Sequence, residues 1–292
     1  LFIYAVIGCF AFLMRGAATR TLIVTARVVY AAGFAILCLS LGTMFSIQAA
    51  AQVPGASPAS VERFAAMMEG FSAAAQAEEI ARTAPVIRAL RADGIATPIS
   101  IDTRKATVAA AVLDAGADLV NDVSGFDFDP AMADLVAARA APVCIMHAQG
   151  LPETMQHDPR YGDVLLDVYD ALETRLQRAE AAGIDRRRIL LDPGIGFGKT
   201  QAHNLALLRR VGLFHGLGCG LLLGVSRKRF IGRLGAGAEA DLPADARDPG
   251  SVALALAAWG QGVQVMRVHD AASHAQALRL WRAVCDPRGA VD

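Results

Sequence analysis

The stretch Ile189–Lys199, ILLDPGIGFGK, decides the fold of this chain. Three apolar residues run into Asp192, Pro193 stops the extended segment, and three glycines then free the backbone before a lysine. A short buried strand that ends in a carboxylate and a flexible loop is the usual way in which α/β enzymes present a polar group to a ligand. The stretch therefore predicts a parallel strand with a functional group at its carboxyl end.

Two other interpretations of the same stretch need to be weighed. An ordinary glycine-rich turn is the structural alternative. A phosphate-binding P-loop is suggested by Gly198-Lys199-Thr200, but that motif requires a glycine five residues before Gly198, where Pro193 stands. The P-loop is excluded, and a carboxylate aimed at hydrogen-bond donors remains.

Short apolar strands alternate with helical patterns on both sides of this stretch. Such strands, apolar on both faces, predict a parallel sheet of the α/β class. The count approaches a TIM (β/α)8 barrel whose first two strands should lie before residue 77, where no strand pattern is recognisable. A doubly wound open sheet is the alternative, but its G-x-G-x-x-G turn is absent. We predict strands at 98–102, 119–122, 142–146, 189–192, 221–223 and 263–268, and helices at 77–91, 105–115, 130–140, 161–182, 204–211, 251–261 and 272–283.

Composition excludes several classes of protein. The 292 residues carry a formal net charge of zero, so bulk electrostatics predict no nucleic-acid partner. The five cysteines are an odd number and form no C-x-x-C pair, which indicates reduced core residues of a cytoplasmic protein and no disulfide or metal framework.

The first 52 residues differ in composition from the rest, so we divide the chain into an apolar segment, 1–52, and a barrel domain, 53–292. Residues 28–52 form an uncharged run of 25 residues, which is long enough to cross a bilayer. Three interpretations are open: a membrane anchor, a buried strand and helix of the barrel, or a truncated or frame-shifted start without an initiating Met. Between 54 and 76 we expect irregular structure that becomes helical.

Polar side chains stand at or just past the ends of the predicted strands. Each could be structural, since a strand-end Asp often caps the following helix and a single His is often a core residue. In a barrel, however, all carboxyl ends of the strands meet at one mouth, so these residues would converge. They are Asp102, Asn121, His147, Asp192, Lys228 and His269.

The chemistry of these residues suggests a class of ligand. Two carboxylates and an Asn amide suit a flat heterocycle with N–H donors beside a carbonyl, and Lys228 could donate to that ring's oxygen. Arg267 and His269 are two apart on a strand, so both would face the mouth, where their charge suits a leaving anion such as diphosphate. Ser226 and Arg227 form a second polar cluster. Neither H-x-H nor H-x-x-x-H occurs, so no metal-ligand spacing is visible.

Several motifs together resemble dihydropteroate synthase, the folate-pathway family, from about residue 78 to the C-terminus. They are ISIDTRK (99–105), ND (121–122), CIMHAQGLPETMQ (144–156), LLDPGIGFGK (190–199), GVSRK (224–228) and RVHD (267–270). The resemblance implies a TIM barrel and a pocket with three parts: Asp102, Asn121, Asp192 and Lys228 for the pterin, Arg267 and His269 for the diphosphate, and Ser226 and Arg227 beside the aminobenzoate.

The resemblance also implies a reaction. A transferase of this family condenses (7,8-dihydropterin-6-yl)methyl diphosphate with 4-aminobenzoate, releases diphosphate, uses Mg²⁺ and works as a cytoplasmic homodimer. Two alternatives are a non-catalytic pterin-binding homologue, tethered to a membrane through 28–52 or free, and a pterin-dependent methyltransferase. The SRK and RVH residues argue against the methyltransferase.

Two loops of the family have no full counterpart in this sequence. The opening loop of the type NVTPDSFSDGG, whose Asn helps to bind Mg²⁺ and diphosphate, is not found, so the metal ligand is unknown. Of the second loop, GGESTRPGA, only Pro54-Gly55-Ala56 remains. Both loops would help to position the substrates at the mouth.

We therefore expect the chain as given to release diphosphate slowly or not at all, because loss of positioning alone can cost several powers of ten in rate. The comparison is with a version whose first 76 residues are replaced by a family-type opening that contains both loops. Equal rates of diphosphate release from the two proteins would show that the loops are dispensable.

Overall fold

A computed structural model describes residues 58–150, 155–237 and 241–285, with side chains described from residue 72 onward. The chain divides into two units after Glu78, and the sheet and the candidate site lie in the second, Glu79–Asp292. The apolar segment 1–52 falls outside the described residues, so its three interpretations and the division after residue 52 stay predictions.

Six short strands alternate with eight α-helices in the described part of the chain. The strands are β1 (Ser100–Asp102), β2 (Leu119–Asp122), β3 (Val143–Met146), β4 (Ile189–Asp192), β5 (Gly220–Leu223) and β6 (Val265–Met266). The helices are α1 (Pro58–Ala92), α2 (Ala106–Asp114), α3 (Met132–Ala138), α4 (Val164–Ala181), α5 (Gln201–Arg209), α6 (Arg229–Gly235), α7 (Asp248–Trp259) and α8 (Ala271–Cys285).

The six strands form one parallel sheet in the order β1-β2-β3-β4-β5-β6. A doubly wound sheet reverses its strand order at a switch point, and this order contains no reversal, so that alternative is wrong. The sheet also curls, since Arg267 after β6 lies with its Nη1 3.5 Å from Oδ2 of Asp102 in β1. The predicted TIM-barrel class is confirmed as a half-barrel, and within the described residues no strand precedes Ser100.

Side chains along each strand alternate between the two faces of the sheet. Ile145, Leu191 and Leu221 are register partners on the outer face, where they are fully buried against the helices. Asp102 and Asn121 are register partners on the inner face. The outer face thus supplies the hydrophobic core, and the inner face is left to carry the site.

Local side-chain caps fix the starts of two helices, α4 and α5. The carboxylate of Asp163 accepts the N–H groups of Leu165 at 2.8 Å and Leu166 at 3.3 Å, which starts α4. Thr200 and His203 form a reciprocal capping box at the start of α5. Such caps satisfy N–H groups that have no partner inside the helix and are worth about 1 kcal/mol each.

Some boundaries differ from the sequence-based predictions. Between 54 and 76 we expect irregular structure that becomes helical, and the helical part starts earlier than the pattern suggests, because α1 already begins at Pro58. Proline suits the first turn of a helix, and the Ala-, Met- and Glu-rich residues that follow have high helix propensity. Strand β6 is shorter than the predicted 263–268, and α6 was not predicted, since its pattern is short and contains two glycines.

In the part of the chain that the structure describes, no helix is long and apolar enough to cross a membrane.

Two leucines of α4 test the division between buried and exposed faces. Leu172 is 0% exposed, whereas Leu166 is 55% exposed. We expect Leu172→Ala to lower the free energy of unfolding by about 2–5 kcal/mol, because it leaves a cavity in the core. Leu166→Ala should change it by no more than about 0.5 kcal/mol. Urea denaturation measures both, and similar losses would contradict this packing of α4.

Candidate active site

The inner face of the sheet places polar side chains at the carboxyl ends of three strands. Asp102 ends β1, Asn121 lies opposite it in β2, and Asp192 ends β4 opposite Met146. These positions follow from the period of two along each strand, because a residue two steps away returns to the same face. Residues from separate parts of the sequence therefore meet at one mouth, as predicted.

Asp102 is the acceptor of a small network at the edge of the mouth. Its Oδ2 accepts the side-chain amide of Asn121 at 3.2 Å and lies 3.5 Å from Nη1 of Arg267. Asn121 is 6% exposed, whereas about half of the Asp102 and Arg267 side chains faces solvent. The network joins the two ends of the curled sheet, and its exposed members are open to a ligand.

Asp192 is the buried carboxylate of the mouth, with 4% of its surface exposed. Its Oδ1 accepts the N–H of Gly194 at 2.7 Å, and no other described residue hydrogen-bonds its Oδ2. Burial raises the pKa of this carboxyl, although Arg267, Lys228 and Lys199 act in the opposite direction. A carboxylate held this way favours a ligand that brings its own N–H donors.

The loop after β4 packs directly on the chain that follows β3. Gly194 and Gly198 have φ angles of +69° and +62°. A Cβ on Gly194 would lie 1.8 Å from the carbonyl oxygen of His147, and one on Gly198 would lie 2.2 Å from that of Gln149. Glycine is required at both positions by the backbone conformation and by this close approach.

Lys228 crosses the mouth above this loop. Its ammonium lies 4.2 Å from the centre of the Phe197 ring, a cation–π contact. Burial lowers the pKa of Lys228, while the charge of Asp192 raises it. The lysine is thereby held beside the buried carboxylate, and its N–H groups can serve a ligand's carbonyl oxygen.

Ser226 is engaged with His269. Its Oγ accepts the backbone N–H of His269 at 3.2 Å and lies 2.9 Å from Nδ1 of the same residue. The side chain of His269 is thereby anchored through Nδ1, and its Nε2 makes no hydrogen bond to a described residue.

The structure does not direct the Arg227 side chain freely into the mouth. Its guanidinium makes a bidentate pair with Asp248 at 2.8 Å for each of two hydrogen bonds, and its φ is +58°. The contact to Arg227 lowers the pKa of the Asp248 carboxyl. Whether Arg227 and Ser226 serve an aminobenzoate stays a prediction.

Sequence reasoning missed a buried cluster next to these residues. The ammonium of Lys199, which is 3% exposed, lies 2.9 Å from Nδ1 of His147. Burial lowers the pKa of both groups. The sequence indicates that His147 stands at the end of a strand, but it gives no sign that Lys199, a residue of the excluded P-loop motif, is its partner.

Among residues 72–150, 155–237 and 241–285, no group of three or more His, Cys, Asp and Glu side chains could hold a metal ion. Mg²⁺ is usually held by one or two carboxylates together with waters and substrate phosphates. The described side chains alone therefore do not form a magnesium site.

Taken together, the mouth combines acceptors for a ring edge with donors for an anion. Asp192, Asp102 and Asn121 form the first set, and Arg267 and His269 form the second. The buried Cys144 is not an activated nucleophile, because burial raises the pKa of its thiol well above the usual value. The arrangement can bind and polarise two reactants.

The sequence of this chain matches a known family of proteins. Residues 68–269 fit the family model described as pterin binding enzyme. The dihydropteroate synthase of Neisseria meningitidis serogroup C is 42% identical over 209 residues, which cover 71% of this chain and 72% of that protein. A probable bifunctional folylpolyglutamate synthase/dihydropteroate synthase of Haloferax volcanii is 43% identical over 210 residues, or 72% of this chain, which spans only 24% of that longer protein.

Solved structures agree with the sequence match. The dihydropteroate synthase of Xanthomonas albilineans in complex with 7,8-dihydropteroate superposes with a TM-score of 0.64 at 42% identity, over 71% of this chain and 74% of that one. The same enzyme with 4-aminobenzoic acid gives a TM-score of 0.65 at 42% identity, over 72% of each chain.

Two glycines with left-handed φ angles test the close approach of the loop. Gly183 has φ +91° and open space around it, whereas Gly194 faces the His147 carbonyl. We expect Gly183→Ala to cost about 1–2 kcal/mol for the backbone conformation alone. Gly194→Ala should cost about 1–3 kcal/mol more, because the backbone of the loop must shift. Equal losses in urea denaturation would show that the loop has room.

Proposed function

The chain belongs to the pterin-binding enzyme family as a transferase of the dihydropteroate synthase type, and we propose that the mouth described above is where its reaction takes place. The observation that carries the proposal is the buried Asp192 carboxylate on the same face of the sheet as Asp102 and Asn121. Three acceptor groups of this kind suit the donor-rich edge of a pterin. The substrates are a dihydropterin methyl diphosphate and 4-aminobenzoate.

The pterin is held from its two sides. Asp192 and Asp102 accept N–H groups of its guanidine-like edge, Asn121 bonds the ring edge beside them, and Lys228 donates to the ring oxygen. Support for this orientation comes from Oδ2 of Asp192, which none of the described residues engages, and from the ammonium of Lys228 over the Phe197 ring.

The bond changes require no protein nucleophile. The amine nitrogen of 4-aminobenzoate forms a bond to the exocyclic methylene carbon, the bond from that carbon to the diphosphate oxygen breaks, and the amine loses one proton to water or to the released diphosphate. Positive charge that develops on the pterin is stabilised by the carboxylates of Asp192 and Asp102. Arg267 and His269 neutralise the departing diphosphate, and electrostatic stabilisation of this kind often contributes more to catalysis than any other single effect.

Magnesium, a homodimer and a cytoplasmic location belong to the proposal because the family resemblance implies them. Mg²⁺ would have to be held largely by the diphosphate and by residues outside the described part, so no step is assigned to it. The exposed apolar side chains of Leu280 and Val284 on α8, 64% and 82% exposed, support contact with a second copy. Ser226 and Arg227 remain the proposed neighbours of the aminobenzoate.

Two ligands and two variants separate the roles of the mouth residues. The ligands are the dihydropterin methyl diphosphate and the same pterin with a hydroxyl in place of the diphosphate, both titrated calorimetrically. Asp192→Asn should weaken both by about tenfold to a hundredfold, since a hydrogen bond to a charged group is worth about 1.5–3 kcal/mol. Arg267→Ala should weaken binding of the dihydropterin methyl diphosphate by a similar factor and leave binding of the hydroxyl analogue unchanged.

The control for loss of a positive charge is Arg187→Ala. Arg187 precedes β4, is 88% exposed, and pairs with Asp185 away from the mouth. This variant should bind both ligands like the wild type. Unchanged affinity in Asp192→Asn would refute the pterin pocket, and equal losses for both ligands in Arg267→Ala would show that its role is to hold Asp102.

The remaining alternatives differ in their products. A non-catalytic homologue would bind the pterin diphosphate with no release of diphosphate even after the family-type opening is added. A pterin-dependent methyltransferase would transfer a methyl group from a methylated pterin. With the family-type opening in place, we expect diphosphate release that depends on 4-aminobenzoate.

A further inference from the structure

A buried lysine lies below the mouth and has no part in the reaction described above. The ammonium of Lys199 donates to the carbonyl oxygen of Phe197 at 3.0 Å, lies 2.9 Å from Nδ1 of His147, and is 3.4 Å from the carbonyl oxygen of His147. An ammonium has three N–H donors, so these three acceptors satisfy all of them. Burying a lysine costs free energy that is offset only by such complete pairing.

All the acceptors of Lys199 belong to two chain segments that meet at the mouth. His147 follows β3, and Phe197 lies in the loop after β4. Other side chains hold the same loop at its glycines: Oδ1 of Asn204 accepts the N–H of Gly196 at 2.7 Å, and the hydroxyl of Tyr161 donates to the carbonyl oxygen of Gly198 at 2.8 Å. The backbone N–H of Phe197 donates to the carbonyl oxygen of Gly194 at 3.1 Å, and Lys199 is the described side chain that hydrogen-bonds the Phe197 carbonyl oxygen.

Phe197 connects Lys199 with the mouth. Its carbonyl oxygen accepts the Lys199 ammonium, while its ring supports the ammonium of Lys228 at 4.2 Å. The side chain of Lys228 also passes close to Gly196, where a Cβ would lie 3.2 Å from its Cδ. The position of the Lys228 ammonium therefore depends on the position of the Phe197 ring, which in turn depends on the backbone of Phe197.

We propose that Lys199 is a positioning residue, which fixes the backbone of Phe197 against His147 so that the Phe197 ring holds Lys228 at the mouth. Lys199 acts through Phe197. The consequence for ligand binding rests on the proposed function, since it assumes that Lys228 meets the pterin. The position of Lys228 over the Phe197 ring can be tested without any ligand, because it depends only on contacts within the protein.

The chain is well suited to a direct test, because its 292 residues include only three lysines, Lys105, Lys199 and Lys228. Protein labelled with ¹³C-lysine gives three Cε–Hε signals, which Lys105→Met, Lys199→Met and Lys228→Met assign one at a time. The ammonium of Lys228 lies over the Phe197 ring, so we expect the ring current to shift the resonance of the neighbouring Hε protons upfield in the wild type.

In Lys199→Met, which keeps the length of the side chain but removes its donors, we expect most of that upfield shift to disappear. The affinity for the pterin without diphosphate should fall about threefold to tenfold, as expected when one hydrogen bond of about 1 kcal/mol is mispositioned. Thr200→Ala is the control: it removes the neighbouring cap of α5, lowers stability, and leaves the contacts of Phe197 intact. It should leave both the Lys228 resonance and the affinity unchanged.

A folded Lys199→Met protein in which the Lys228 resonance keeps its upfield shift would overturn the proposal. If Lys199→Met does not fold, Lys199→Gln applies the same criterion with a polar side chain that is too short to reach both His147 and Phe197. The two proposals fail separately: a wild type that binds no pterin refutes the function, whereas the resonance of Lys228 decides the role of Lys199 with no ligand present.

Discussion

The candidate site depends on how closely the loop after β4 approaches the chain after β3. No side chain fits between Gly194 and the carbonyl oxygen of His147, since a Cβ would lie 1.8 Å from that oxygen. This contact places the N–H of Gly194 against Asp192, so the carboxylate is fixed by the same turn that brings the loop across the mouth. Phe197 and Lys228 are positioned by that loop in turn. The hydrogen-bonding groups of the pocket are thus set by backbone packing before any ligand is present.

Much of this arrangement was predictable from local patterns. The alternation of short apolar strands with helices specified a parallel sheet, and the polar residues at the strand ends, such as Asp102 and Asp192, identified the mouth. Both inferences use only the period of two along a strand and the rule that parallel strands end on one side. They need no knowledge of which distant residues touch.

What could not be predicted were the pairings between side chains far apart in the sequence. Lys199 and His147 are separated by 52 positions, and Ser226 and His269 by 43. No local pattern specifies such partners. Arg227 is a related case: its bidentate pair with Asp248 and its left-handed φ depend on α7, so its place in a motif gave no indication that its charge is already engaged. The early start of α1 was missed although Val61, Phe64 and Met68 have the i, i+3, i+7 spacing of a helix.

The order of the strands also bears on how the molecule folds. Each strand pairs with the one that precedes it in the sequence, so the sheet can grow by successive neighbours, each at a modest cost in loop entropy. The ion pair between Asp102 and Arg267 is different, since it joins residues 165 positions apart. It can form only when β6 has docked, so the two sides of the mouth meet at the end of folding. Because that pair is half exposed and 3.5 Å long, it adds little to the stability of the closed form. Loss of that ion pair would therefore leave the pairing of the strands in place, because the backbone hydrogen bonds of the sheet do not depend on it.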